Sequence, residues 1–376
     1  TKFTAVNETN TFTALADPAP GEILQYAWSV SIGTLQQTTG STVDWLAPAS
    51  PAAGTVAVEV TNQDLLSTTV TAGLLVKDTT LPYQDPLIWY PFDTDNKNAA
   101  ADRFHATATG VTKTEDARGK PLSAYRFTSG SNIIYTENND DLNFNETVSL
   151  SCWLKCETLG SERFVISHGS WQQRYKLSVT PEGYLRWTVK TETGIADLDS
   201  SEPIELNRFY HVTAIYSGYS MELFVDGELD TFIAFSGDIL LSTKPLTIGR
   251  MDNTETLYSW RGSIDEVKIW DREVPVPQVM QLKDQWATPF GIRENEIIAR
   301  VYPNPAAKLI FIEFIRPVKV TQVALFASDG RKATEFSVNS LDSQIILELP
   351  QLPAGIYALR VFLNDGNAFA RKIIIR

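Results

Sequence analysis

The 376-residue chain is poor in the residues that most often carry chemistry, with two cysteines and three histidines. Cys152 and Cys156 share one alternating run, SLSCWLKC, which reads as a strand. Four residues apart, they point to the same side with Cα atoms about 13 Å apart at roughly 3.3 Å per residue. That is beyond disulfide reach, so both are expected to be small core residues rather than redox or metal groups. His105, His168 and His211 form no H-x-x-x-H or H-E-x-x-H spacing suited to zinc. His105 and His168 fall near predicted loops. A G-x-S-x-G elbow and a phosphate-cradling glycine loop are also missing. No apolar run approaches the ~18 residues of a membrane-spanning helix, and long helical periodicity is lacking. Basic residues are outnumbered, 32 against 45, and the net charge of −13 repels nucleic acid and anionic lipid. No nucleic-acid partner is expected. The chain begins without methionine or a signal peptide, so Thr1 is expected not to be the native start, with an export signal or further domains upstream.

What is present is β-structure. Aromatics make up 11% of the chain, and Val, Ile, Thr and Tyr recur throughout. The length exceeds one ordinary core, and three domains are expected, at residues 1–78, 87–285 and 298–376. Charge divides unevenly: from Thr288 onward 11 Lys or Arg face 8 Asp or Glu, a balance of +3 against −16 elsewhere. The clearest stretch is HVTAIYSGYSMELFVDGELDTF, from His211, and LTIGRMDNTETLYSWRGSIDEVKIW, ending at Trp270. Its runs alternate apolar and polar residues between breaks at Gly218, Asp226-Gly227 and Gly249, which predicts antiparallel strands. Asp226-Gly227 predicts a tight hairpin, because a two-residue turn needs positive φ.

This stretch resembles the second half of a laminin-G-like, concanavalin-A-like jelly roll. The matching elements are W/F-x-H-V at Phe209 to Val212, Y/F-V-D-G at Phe224 to Gly227 and G-x-I-D-E-V-x-I-W at Gly262 to Trp270. LIWYPFDTDN, AYRFTSGSNIIYT and ETVSLSCWLK, with Trp153 in the aromatic place, extend the resemblance over the whole middle domain. The resemblance departs at the first loop, where D-x-S-G-N-G gives way to residues 95–102. It implies that His211 packs beside an aromatic residue. Upstream, W-S-V-x-x-G-T-L from Trp28, V-D-W-L-A-P from Val43 and TVAVEVTN resemble polycystic-kidney-disease and related Ig-like domains of bacterial surface proteins, implying a spacer sandwich with a buried tryptophan. TTLPYQDP and ATPFGIRENEI read as linkers, and REVPVPQVMQLKDQW as a turn and one short helix closing the sheet edge. The expected fold class is all-β: an Ig-like sandwich, a central jelly roll and a C-terminal Ig-like sandwich.

Residues 298–376 resemble the type A C-terminal sorting domain of type IX secretion substrates from Bacteroidota. The matching residues are Tyr302, Pro303, Asn304 and Pro305, the S-D-G-R-K turn with Gly330, the L-P-A-G-I-Y-x-L-R-V run with Gly355 and Tyr357, and the basic end with Arg371 and Lys372. The resemblance implies a secreted or outer-membrane-surface location, recognition by the type IX translocon and removal by a sortase-like peptidase.

For chemistry in the middle domain, Asp197, Asp199 and Glu202 come closest to a glycosidase pair. A retaining enzyme needs carboxyls about 5–5.5 Å apart, and Glu202 points to the opposite face, so a charged edge strand is the preferred reading. The jelly-roll resemblance implies a structural calcium held by Asp265 with Asp93 and main-chain oxygens, since calcium takes about 6–8 oxygen ligands. Rim loops carry Trp171, Tyr175, Tyr219, Asn253, Tyr258 and Trp260, most of whose aromatics are expected to pack in the core. Trp171, Tyr258 and Asn253 are the candidate ligand contacts, for a ring face with polar edges suits sugars. The chain is expected to be non-enzymatic, with the jelly roll binding a glycan or an extracellular protein in adhesion. The alternative is the C-terminal accessory part of a secreted hydrolase whose catalytic domain lies upstream of residue 1.

Overall fold

The computed structural model describes residues 3–18, 20–284, 298–327, 332–363 and 368–376, and their side chains except at 170–171, 298–299, 315–317, 339–340, 363 and 368–370. The fold is all-β, as expected, and divides into two compact units, Thr1–Trp286 and Ala287–Arg376.

The first unit opens with a small sandwich. One sheet orders the strands Thr4–Ala5, Ser67–Lys77, Ala52–Thr61 and Gln25–Val30, and the other Thr9–Thr13, Thr42–Leu46 and Thr34–Leu35. The expected buried tryptophan is a pair: Phe12 stacks on Trp28 at 6.4 Å and tilts against Trp45 at 5.6 Å. Each indole donates to a main-chain carbonyl, Trp28 to Gly40 and Trp45 to Ile32, both at 2.8 Å, so neither buried N–H is left unpaired.

The jelly roll follows in the same unit. Its eight-stranded sheet centres on Gly262–Trp270, flanked by Val148–Cys156 on one side and by Ala124–Phe127 and Ile88–Tyr90 on the other. The facing seven-stranded sheet runs from Gly194–Pro203 to Thr107–Thr109. Between them lie Tyr90, Phe92, Phe127, Leu150, Trp187 and Val212, each essentially inaccessible. Cys152 and Cys156 join this core as free thiols. Asp226 and Gly227 take φ of 51° and 83°, and Val225 pairs with Glu228, which is the predicted two-residue hairpin. Gly262 opens the central strand at φ 136°, where a Cβ would lie 1.9 Å from the Lys155 carbonyl oxygen, so only glycine fits.

The short helix Val276–Leu282 forms, but it covers a face of the eight-stranded sheet rather than closing its edge. Val276, Val279 and Leu282 recur on one side of the helix and pack with Ile215, Phe224 and Trp270. Ile215 points away from the core that takes Ala214 and Tyr216, so this sheet is apolar on both faces. Leu75 of the N-terminal sandwich completes the cluster. Beside it Lys77 reaches Glu222 and Glu273, each at 2.6 Å, with the lysine 1% exposed. Burial opposes the lysine's charge, but the two carboxylates outweigh it and raise its pKa. The sandwich and jelly roll therefore share a hydrophobic and ionic interface.

The second unit is one five-stranded sheet of Ile298–Tyr302, Leu309–Ala327, Lys332–Glu348, Gly355–Leu363 and Ala368–Ile375. Its two long strands lose register between Glu313 and Val318 and again after Val320, and such irregularities bend a sheet over its core. Ile310, Ile312, Val323, Leu359, Val361 and Ile373 fill that core.

Candidate functional site

The gap between Ile88–Tyr90 and Ala124–Phe127 along the central strand defines an acidic pocket. Ile88–Tyr90 pairs with residues 267–269 and Ala124–Phe127 with residues 262–264, so Asp265 and Glu266 fall between the two registers. Glu266 takes φ of 49°, and its carboxylate accepts from the Trp89 indole at 2.6 Å and pairs with Lys268 at 3.2 Å. Asp265 is 1% exposed, and its Oδ1 has no hydrogen-bond partner. Burial first, then Glu266, Asp116 and Asp93, push its carboxyl well above the usual carboxylate range, against a main-chain hydrogen bond from Glu266.

Asp93 faces the same pocket from the loop after Ile88–Tyr90. One oxygen pairs with Lys120 at 2.6 Å, and Oδ2 is buried without a partner. Lys113 donates to the Phe92 carbonyl and stands 4.2 Å from the Tyr125 ring centroid. Burial lowers its pKa, while Asp265, Asp93 and Asp95 oppose that effect. Two orphaned carboxylate oxygens in one pocket are an unsatisfied anionic donor set, and all-oxygen donors suit a hard cation. Among the described residues no three His, Cys, Asp or Glu side chains are grouped to hold a metal, so a cation here would draw its remaining ligands from main-chain carbonyls and water. Asp116 was not singled out in the sequence. Its signal is the turn D-A-R-G-K, in which Asp116 Oδ1 accepts the amides of Arg118 and Lys120, each at 2.8 Å.

The rim residues scatter. Tyr175 and Trp260 are core residues, 1% and 0% exposed; Tyr175 begins a strand and packs against His168 and Trp187. Tyr219 bonds Glu273 beside Lys77. Tyr258 is 37% exposed and tilts over Phe164 at 5.8 Å. Asn253 is exposed in the turn that Asp252 organises by accepting from Thr254 and Glu255. Trp171 stands on the helix Ser170–Gln173, and its side chain lies outside the described residues. Tyr258 packs at the start of the strand Arg163–His168, whereas Trp171 follows its end, so these candidates do not form one site.

The remaining titratable candidates have structural partners. His211 packs edge-on to Trp153 at 5.3 Å, with Nε2 and Ser151 Oγ 2.9 Å apart, as the resemblance implied. Burial, aided by Lys268 and Lys283, lowers its pKa to about 3. His168 is fully buried as the last residue of its strand, and burial with Arg174 nearby lowers its pKa to about 3. Arg186 holds Asp199 at 2.6 Å and Asp197 at 3.6 Å. The replaced first loop is organised by Asn98, 5% exposed, which accepts from the Trp89 amide and donates to the Leu87 and Arg103 carbonyls.

In the second unit the Tyr-Pro-Asn-Pro segment is joined to the chain's last strand. Asn304 Oδ1 accepts the Ile374 amide at 2.9 Å, its Nδ2 donates to the Lys372 carbonyl at 3.4 Å, and the Ala306 amide donates to Ile374 at 2.8 Å. Tyr302 stacks on Phe311 at 5.2 Å, and its hydroxyl lies 3.2 Å from Glu313. Gly355 pairs with Ile375, Tyr357 donates to the Pro353 carbonyl at 2.8 Å, and Lys372 is exposed beside half-buried Arg371. Gly330 lies outside the described residues.

Residues 128–280 match the family described as the concanavalin A-like lectin/glucanases superfamily. Residues 300–376 match the family described as the secretion system C-terminal sorting domain. The chain thus carries a concanavalin A-like domain followed by a sorting domain. A tail of this kind marks cell-surface proteins exported by the type IX secretion system and engages that machinery, so this protein is an exported one. No helix among the described residues is long and apolar enough to cross a membrane. No curated protein matches the chain. Solved structures similar to it include domain 4 of AbnA, an extracellular arabinanase from Geobacillus stearothermophilus, in complex with arabinotriose, at 17% identity over 54% of this chain and 99% of that one, TM-score 0.43. Others are the SAP-like pentraxin of Limulus polyphemus, at 17% identity over 40% and 80%, TM-score 0.32, and the carbohydrate-binding domain of the Ruminococcus gnavus IT-sialidase bound to α2,3-sialyllactose, at 12% identity over 42% and 95%, TM-score 0.36.

Proposed function

We propose that this protein is a non-enzymatic glycan-binding component of the surface of a Bacteroidota-type bacterium, serving adhesion. The observation that supports it is the pairing, on one chain, of a concanavalin A-like domain with a sorting domain. The second unit addresses the protein to the type IX translocon and is removed there by a sortase-like peptidase. The first unit is the cargo. Its acidic side chains favour this reading over hydrolysis, because Asp197 and Asp199 are engaged by Arg186, with Thr188 bonding Asp197 as well. A general acid would have to hand its proton to the leaving-group oxygen and a nucleophile to attack the anomeric carbon, and the contacts with Arg186 and Thr188 compete with both roles. Screening the chain on an array of neutral and acidic glycans tests the reading. Saturable binding of one glycan class is expected, and the absence of any bound glycan overturns it.

In this reading Asp265 and Asp93, each with a buried carboxylate oxygen lacking a hydrogen-bond partner, would hold a calcium ion together with main-chain oxygens. The ion's part is structural: its charge would favour ionised Asp265, whose pKa is otherwise raised by burial. Calcium at a hundredfold excess over its dissociation constant is worth about 2.7 kcal/mol of stability. Melting of the wild-type chain is expected to rise with calcium and fall with EDTA, and Asp265→Asn is expected to respond to neither. A wild-type melting temperature indifferent to both reagents rules the ion out.

A further inference from the structure

Apart from the acidic pocket, the jelly roll carries a cleft of about 410 Å³ walled by three segments distant in sequence. They are the 3-10 turn Asp140–Leu142 with Asn138 ahead of its N-cap and Asn143 at its C-cap, the helix Ser170–Gln173, and residues 241–243. Such a volume lies within the roughly 300–1,000 Å³ of small-ligand sites. The walls are held from behind by Arg174, a guanidinium with no exposure. It donates to the carbonyls of Leu142 at 3.1 Å and Phe144 at 2.7 Å on one wall, and to that of Leu240 at 3.0 Å on the other. It also reaches Asn143 Oδ1 at 3.2 Å, which in turn accepts the Ser242 amide at 2.9 Å. A buried cation spent on main-chain carbonyls is a costly way to join two loops unless their spacing matters.

The groups facing the opening form a complementary set. Asn138, which lines the cleft, has its Oδ1 occupied by His168 Nε2 at 3.0 Å and Asn143 Nδ2 at 3.2 Å, so its amide N–H groups are what it can offer a ligand. Gln173 Oε1 accepts from Ser242 Oγ at 3.0 Å, leaving its N–H groups as donors. Asp140 is exposed and contributes carboxylate acceptors, while Leu241, 66% exposed, offers an apolar surface. Amide donors beside a carboxylate match adjacent hydroxyls, each of which both donates and accepts, and an aliphatic side chain matches the C–H face of a pyranose. The carboxylate disfavours anionic sugars.

We propose that this cleft is the saccharide site, taking a neutral pyranose through a pair of vicinal hydroxyls on Asp140, Asn138 and Gln173 with its ring against Leu241. The proposal rests on the glycan-binding reading above and places that activity away from Tyr258 and Asn253. The test is titration of the full chain with the neutral oligosaccharide that binds best on the array, repeated on Asp140→Ala, Leu241→Asp, Gln173→Ala and Tyr258→Ala. Asp140 and Leu241 are exposed, so both variants should fold, with unchanged melting as the check. At least tenfold weaker binding is expected for Asp140→Ala and Leu241→Asp, a smaller loss for Gln173→Ala, and none for Tyr258→Ala. Binding that survives both cleft variants unchanged overturns this site while leaving the glycan-binding reading in place. Binding only to anionic glycans, strengthened in Asp140→Ala, also overturns it. No glycan bound at all overturns both.

Discussion

Replacing Lys77 by methionine should cost the first unit far more than a surface charge would. The lysine is 1% exposed and neutralises Glu222 and Glu273, whose side chains are 0% and 14% exposed. Glu222 already has one oxygen without a partner, and its other oxygen retains only Ser220 Oγ once the ammonium is gone. Breaking one side of a buried ion pair typically costs about 3–5 kcal/mol, and at roughly 2–4 °C per kcal/mol the melting temperature should fall by about 6 °C or more. The deficit should depend on pH. Burial already raises the Glu273 pKa against the pull of Lys77, and removing that counter-charge raises it further. A carboxyl with a folded pKa above its unfolded value, about 4.3, binds more protons when folded, so stability falls as pH rises through that window. Lys77→Met should therefore be closer to wild type at pH 5 than at pH 8. Lys77→Met/Glu222→Gln/Glu273→Gln, which removes all three charges, should recover most of the loss. Urea unfolding followed by tryptophan fluorescence reads both effects. A loss under about 1 kcal/mol with no pH dependence, the behaviour of an exposed pair, would refute the argument.

Three further outcomes follow from the same structure. His168 and His211, each with its pKa lowered to about 3, bind fewer protons folded than unfolded, so stability should be complete above about pH 6.5 and decline below it by up to ~1.4 kcal/mol per pH unit for each histidine; urea midpoints from pH 4 to 8 measure it, and His211→Gln should flatten the slope. Gly262→Ala should destabilise by several kcal/mol or prevent folding, since its Cβ would lie 1.9 Å from the Lys155 oxygen at a positive φ, and thermal melting checks it. Asn304→Ala removes two hydrogen bonds to the last strand and should increase amide exchange at Ile374, by a factor corresponding to about 1–2 kcal/mol.

Much of the architecture was readable because it rests on local chemistry. Asp226-Gly227 specifies its turn through backbone conformation, and period-two alternation places Cys152 and Cys156 on the core face without knowledge of their partners. Alternation also puts Leu359 and Val361 inside the sorting unit. Features built from distant segments were not readable. Lys77 meets Glu222 across 145 residues, and nothing near either residue marks the pairing. The helix Val276–Leu282 covers a face of its sheet rather than an edge because Ile215, Phe224 and Trp270, from three separate strands, make that second face apolar. Asp265 and Asp93 were identified from resemblance, but Lys113, on the strand Thr112–Thr114, and Asp116, in the turn after it, come from a segment with no matching motif. Most rim aromatics were expected to pack inside, and Tyr175 and Trp260 do. The amides and carboxylate of the cleft, on three separate loops, carry no pattern of their own.

Export is where the account can be tested most directly. Deleting residues 298–376 from the chain expressed at its native locus, then probing intact cells with protease and antibody, separates the address from the cargo. Retention of the shortened protein inside the outer membrane, with its first unit folded, is the predicted result. Arrival of that protein at the surface in wild-type amount would contradict the account.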